Sequence, residues 1–109
     1  MTWRDKLVEH LTSSIRLESG ATHGVLKLSM SWPSGDIDMP EVCNHLARRF
    51  KIPSVTVLRR TPPGRATLEG GRTAALRITC KTNEAAQEML RAFCKDVRGL
   101  AMAIVSSGT

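Results

Sequence analysis

From Leu26 to Trp32 the chain alternates without exception, with Leu26, Leu28, Met30 and Trp32 set against Lys27, Ser29 and Ser31. A period of two held that long demands an extended strand with one face on a core and the other toward water. The same period returns within a strand read as Thr73 to Lys81, where Leu76, Ile78 and Cys80 oppose Arg77, Thr79 and Lys81. Ser54 to Leu58, with Val55-Thr56-Val57 at its centre, is a short β-branched strand. Half-buried strands need an apolar layer over one face, and the segments between them supply it.

Asp38-Met39-Pro40-Glu41 reads as a helix start. Asp38 can accept from the third amide of the first turn, Glu41 can reach back, and Pro40 has no amide to leave unsatisfied. Val42, Leu46 and Phe50 form its apolar stripe, Cys43 and Ala47 flank it, and Pro53 stops it. Thr82 or Asn83 caps a second helix whose inward face is Ala86, Met89, Leu90, Phe93 and Val97, ended by Gly99. Leu100 to Val105 is apolar on both faces and is predicted as the last strand, before a terminus that reads as frayed or as a linker. The order β-α-β-β-α-β over residues 20–106 predicts a ferredoxin-like α+β sandwich, a four-stranded antiparallel sheet with two helices on one face.

Two features lie outside that frame. Residues 1–19 predict an extra amphipathic helix with Trp3, Leu7, Leu11 and Ile15 on one face, ended by the loop around Gly20 and Gly24. Its stripe must be buried on the open sheet face or against a partner. Residues 59–72 hold three Gly, two Pro and no periodicity, which predicts a long basic hairpin loop.

Charge is unevenly spread. The chain of 109 residues, a size suited to one domain, carries a formal net charge of +6. Residues 48–77 contain Arg48, Arg49, Lys51, Arg59, Arg60, Arg65, Arg72 and Arg77 against Glu69 alone, while the remainder is nearly neutral. Seven of these eight are Arg, whose planar fork suits phosphate and carboxylate. The expected open face adds Lys27 and Lys81 among serines and threonines. Such a segment is expected to contact nucleic-acid backbone, with salt-sensitive and weakly sequence-selective affinity. A solvated surface, or one that guards an edge strand, is the bland alternative.

The residues that carry chemistry are scattered. Cys43, Cys80 and Cys94 are odd in number and lack paired spacing, so no disulfide framework is expected and a reducing, cytoplasmic setting is. The N-terminal residues lack the continuous apolar stretch of a secretory signal, and no apolar run is long enough for a membrane span. Cys43 and His45 sit two apart on a helix and point about 200° from each other. The three histidines are dispersed, and Asp36 and Asp38 stand without further carboxylates, so no metal site or cofactor is expected. No nucleophile elbow, phosphate loop or zinc-protease motif occurs, so no catalytic residues are expected.

RNA-recognition motifs share the expected topology and stack bases on aromatics of the two central strands. Here those outward positions are Lys27, Ser29, Ser31, Arg77, Thr79 and Lys81, with no ring among them. The stretch from Asp36 to Val42 resembles the corresponding stretch of ACT-type regulatory modules, with Glu41 where those have Gly, which implies an effector-binding domain. The sequence therefore predicts a non-enzymatic module that binds nucleic acid through residues 48–77 with Lys27 and Lys81. The alternative is a protein-interaction or self-association module, dimerising through the N-terminal helix, the open face or an edge strand.

Overall fold

The alternation from Leu26 to Trp32 becomes a central strand in the computed structural model, which describes residues 2–62, 64 and 71–108. The elements in chain order are α1 (Trp3–Ser14), β1 (Arg16–Ser19), β2 (Val25–Trp32), α2 (Met39–Arg49), β3 (Ser54–Arg60), β4 (Arg72–Thr79), α3 (Asn83–Lys95) and α4 (Val97–Gly108). The four strands make one antiparallel sheet in the order β1-β2-β4-β3. Along β2, Leu26, Leu28, Met30 and Trp32 are buried, and opposite them on β4 lie Ile78, Leu76 and Ala74. These residues form the floor of the core. Above it, α4 packs against α1, α2 and α3.

The helix starts follow their expected chemistry. Asp38 caps α2 by accepting from the Glu41 amide at 3.2 Å, with Pro40 in the first turn. Glu41 does not reach back; its carboxylate lies 3.6 Å from Arg48 on the outer face of the helix. Thr82 caps α3, accepting from the Ala85 amide at 3.0 Å. Val42, Cys43 and Leu46 of α2 and Ala86 and Phe93 of α3 are buried, and Phe50 meets Phe93 edge-on with centroids 4.9 Å apart.

Two segments depart from expectation, and together they replace the βαββαβ order. Residues 100–105 are not a strand: they lie in α4, where Leu100, Ala101, Ala103, Ile104 and Val105 are buried and Met102 is 52% exposed. Asp96 ends α3 and starts α4, accepting the Gly99 amide on its carboxylate at 3.0 Å and the Leu100 amide on its carbonyl at 3.2 Å. Leu, Ala and Met are strong helix formers, and a short apolar run has no period that separates a buried strand from a buried helix. Nor is the end of the described chain loose: the Gly108 carbonyl accepts the Asp38 amide at 3.1 Å, joining the end of α4 to the cap of α2.

The sheet edge beside β2 is held by Arg16–Ser19, which the sequence reading placed in the N-terminal helix. The helix stops at Ser14 because three hydroxyls in a row compete with its backbone: Thr12 and Ser13 donate to the carbonyls of Val8 and Glu9, and Ser14 turns outward to β2. Side chains that compete in this way, followed by β-branched Ile15, favour leaving the helix. Ser14 Oγ donates to the Ser31 carbonyl at 2.7 Å and accepts its amide at 3.0 Å, which seats the start of the hairpin against β2. The turn back into β2 uses Gly24 at φ 79°, in the left-handed region that favours glycine. The apolar stripe of α1 then lies inside the chain's own core, with Leu7, Leu11 and Ile15 all buried and Trp3 left 60% exposed.

Candidate functional site

Among the described residues the side of the sheet away from the helices is bare, and the strand register lays out its side chains as a grid. One row across the four strands reads Arg16, Ser29, Ala75, Arg59. The next reads Glu18, Lys27, Arg77, Thr56. Val25, Thr79 and Ser54 form a third row toward the β1–β2 turn, and Ser31 beside Thr73 a fourth at the opposite end. Cross-strand neighbours sit about 5 Å apart and successive rows nearly 7 Å apart, so Arg16 and Arg59 bracket a span of about 14 Å.

The middle of the first row is low and small: Ser29 is half-buried and Ala75 is buried. Arg16, Arg59 and Arg77 are exposed, and Arg16 Nη1 donates to the Ser13 and Ile15 carbonyls at 3.1 and 2.9 Å, which leaves the other guanidinium nitrogens outward. Among the described residues one carboxylate, that of Glu18, answers these cations, 4.0 Å from Lys27 Nζ. Lys27 and Arg77 are direct cross-strand partners on the two central strands, an arrangement that costs stability when both are charged.

This grid cuts across the basic run read from the sequence. Arg59 and Arg77 belong to the bare face, together with Lys27. Arg60 pairs with Ala74, whose side chain lies on the helix side, so Arg60 points to that side at the free edge of β3. Leu58 sits between Val57 and Arg59 at a register shift, 41% exposed, which reverses the facing of the strand's last residues. Arg48, Arg49 and Lys51 belong to the end of α2, in the layer above the other face of the sheet; Arg48 faces Glu41, and the Arg49 guanidinium lies 5.5 Å from the Phe50 ring. Lys81 is exposed in the turn past β4. Arg65 lies outside the described residues.

Arg72 has a structural task. Its Nε donates to Asp36 at 3.0 Å, the same carboxylate accepts the Gly64 amide at 3.1 and 3.3 Å, and the Arg72 side chain is mostly buried. Asp36 thereby ties the β3–β4 connection to the segment before α2. Thr61, one residue past β3, still pairs with Thr73 of β4: its amide donates to the Thr73 carbonyl and its Oγ1 accepts the Thr73 amide, both at 2.9 Å. Sequence reasoning missed Arg16 because residues 16–19 were read as helix; the three consecutive hydroxyls at 12–14 were the available signal.

The groups weighed for catalysis or metal binding are placed apart or occupied. Cys43 is buried, and burial pushes its thiol and that of Cys80 above the usual thiol range; Cys94 is exposed on α3. Asp36 and Asp38 are engaged by Arg72 and by the α2 cap. Among the described residues no three His, Cys, Asp or Glu side chains gather as a metal site, and no helix is long and apolar enough to cross a membrane. Trp3, Leu7, Leu11 and Ile15, the candidate interaction stripe, divide into three core residues and one exposed ring, with the Arg4 guanidinium 5.9 Å from Trp3.

Comparison of the chain with protein-family models, with curated proteins and with solved structures finds no match.

Proposed function

We propose that the chain is a non-enzymatic module that binds nucleic-acid backbone through the bare face of its sheet. The observation that supports this reading is the register: Lys27 opposes Arg77 on the central strands, and Arg16 and Arg59 flank them one row away. Polyanion phosphates laid over these rows would turn mutual repulsion into four favourable contacts. The hydroxyls around them can bond phosphate and sugar oxygens without selecting sequence. Asp38, Thr82 and Asp96 are engaged in helix caps and Asp36 in the tie to Arg72, in keeping with a surface that binds rather than reacts.

The test is affinity against salt. With four phosphate contacts, log K falls against log salt with a slope of about −3.6. Replacing Arg16, Lys27, Arg59 and Arg77 singly by Ala reduces the slope by about 1 each, and replacing all four abolishes retention on nucleic acid. Arg48→Ala with Arg49→Ala, on the helix side, leaves the slope unchanged. If the α2 pair lowers affinity and the sheet four do not, the bare face is not the site.

A further inference from the structure

We infer that the nucleic acid taken by this face is an RNA duplex, bound across its minor groove; this rests on the backbone-binding reading above and narrows it. The chain has four aromatic residues, and each is accounted for. Trp32 is a core residue of β2, its indole Nε1 donating to the Gly35 carbonyl at 2.6 Å. Phe50 and Phe93 face each other edge-on on the helix side. Trp3 lies in α1, among the helices that cover the opposite side of the sheet. The bare face therefore has no Phe, Tyr or Trp ring on which an unpaired base can stack, and stacking on such rings is a main means by which single strands are held.

A duplex keeps its bases stacked on one another and offers backbone and groove instead. The major groove of B-form DNA is read by an inserted helix or two-stranded ribbon. Among the described residues the bare face presents neither; it is four strands wide, with a floor of Ser29 and Ala75 between Arg16 and Arg59. The minor groove of A-form RNA is wide and shallow and lined with 2′-hydroxyls, so a broad surface can lie across it. Ser29, Ser31, Ser54, Thr56, Thr73 and Thr79 put hydroxyls on this face, each able to donate to and accept from a 2′-hydroxyl. The outer arginines are then placed for the phosphates on either side of the groove.

The full chain is titrated, at one salt concentration, with duplex RNA, single-stranded RNA and duplex DNA of the same length and sequence. Duplex RNA is expected to bind at least tenfold more tightly than either competitor. Ser29→Ala with Thr56→Ala, at positions that carry no charge, should erase most of the preference for RNA over DNA and leave the salt slope unchanged. Circular dichroism and the melting temperature of each variant establish that it is folded. Single-stranded RNA binding as tightly as the duplex overturns the inference while leaving the backbone-binding reading intact. Duplex DNA binding as tightly as duplex RNA overturns it equally. Failure of all three to bind overturns the backbone-binding reading itself.

Discussion

Lys51 closes α2 in the left-handed region, at φ 55°, the sole described residue other than glycine with positive φ. Two bonds hold it there: the Phe50 amide donates to Leu46 at 3.0 Å, and the Ile52 amide reaches back to Ala47 at 2.9 Å, which pulls the chain into the turn before Pro53. This is the helix ending that glycine serves best. A side chain in that conformation costs about 1–2 kcal/mol, partly offset in the comparison by the extra freedom glycine has when unfolded, about 0.4–1 kcal/mol. Lys51→Gly should therefore stabilise the protein by roughly 0.5–1 kcal/mol in denaturant unfolding. Because Lys51 belongs to the α2 end and not to the grid, the same substitution should leave nucleic-acid affinity unchanged apart from a small long-range charge effect. A destabilised Lys51→Gly would mean that the lysine side chain makes a contact worth more than the strain it bears.

At the scale of the element, α4 shows what the sequence could and could not decide. Strand and helix make opposite claims about Met102. In a strand it shares a face with Leu100 and Ile104; in the observed helix it turns outward alone while both neighbours are buried. Met102→Lys should thus change stability by less than about 0.5 kcal/mol, whereas Ile104→Ala should cost about 3 kcal/mol. Equal losses at both positions would return this segment to a sheet. The elements read correctly, β2, β3, β4, α2 and α3, are those whose polar and apolar residues alternate with a clear period or whose first turn carries an oxygen cap. The segment at 100–105 has almost no polar residue from which to read a period, and its N-cap, Asp96, falls inside what reads as the end of α3. Arg16–Ser19 is too short for a period to register, and Ile15 extended the stripe of α1 by one helical step past its true end.

The whole molecule shows why the charge could be counted from the sequence and not located. Contiguous residues in a strand face opposite ways, so a basic run of 30 residues cannot all serve one surface. The fold sends Arg59 and Arg77 to the bare face, sends Arg48, Arg49, Lys51 and Arg60 to the helix side, and gives Arg72 to Asp36. In exchange it recruits Arg16 from a distant part of the chain and sets it beside Ser29, one row from Lys27 on the same face. Alternation alone turns Lys27 and Arg77 outward; pairing across strands makes them neighbours.

On the proposed reading, the free protein and a nucleic-acid complex should respond to salt in opposite directions. Four cations lie within about 14 Å of one another, comparable to the screening length of about 10 Å at 0.1 M, and the one like-charged pair directly opposed across strands, Lys27–Arg77, costs roughly 0.2–1 kcal/mol. The Lys27–Glu18 pair offsets little of this, since both side chains are partly or largely exposed to solvent and such pairs contribute about 0–1 kcal/mol. Raising salt screens the repulsion, so the free protein should gain about 1 kcal/mol between 0.02 and 0.5 M NaCl, a rise in Tm of roughly 4 °C. Over the same range its affinity for nucleic acid should fall steeply, because released counterions no longer drive binding. The variant with Ala at positions 16, 27, 59 and 77 should melt higher than the parent at low salt and show little salt dependence in either measurement. Paired melting and binding titrations across that range check both signs at once. A parent protein whose Tm falls with salt would mean that its cations are already balanced by carboxylates, and the bare face would then lack the unmet charge on which the proposed binding depends.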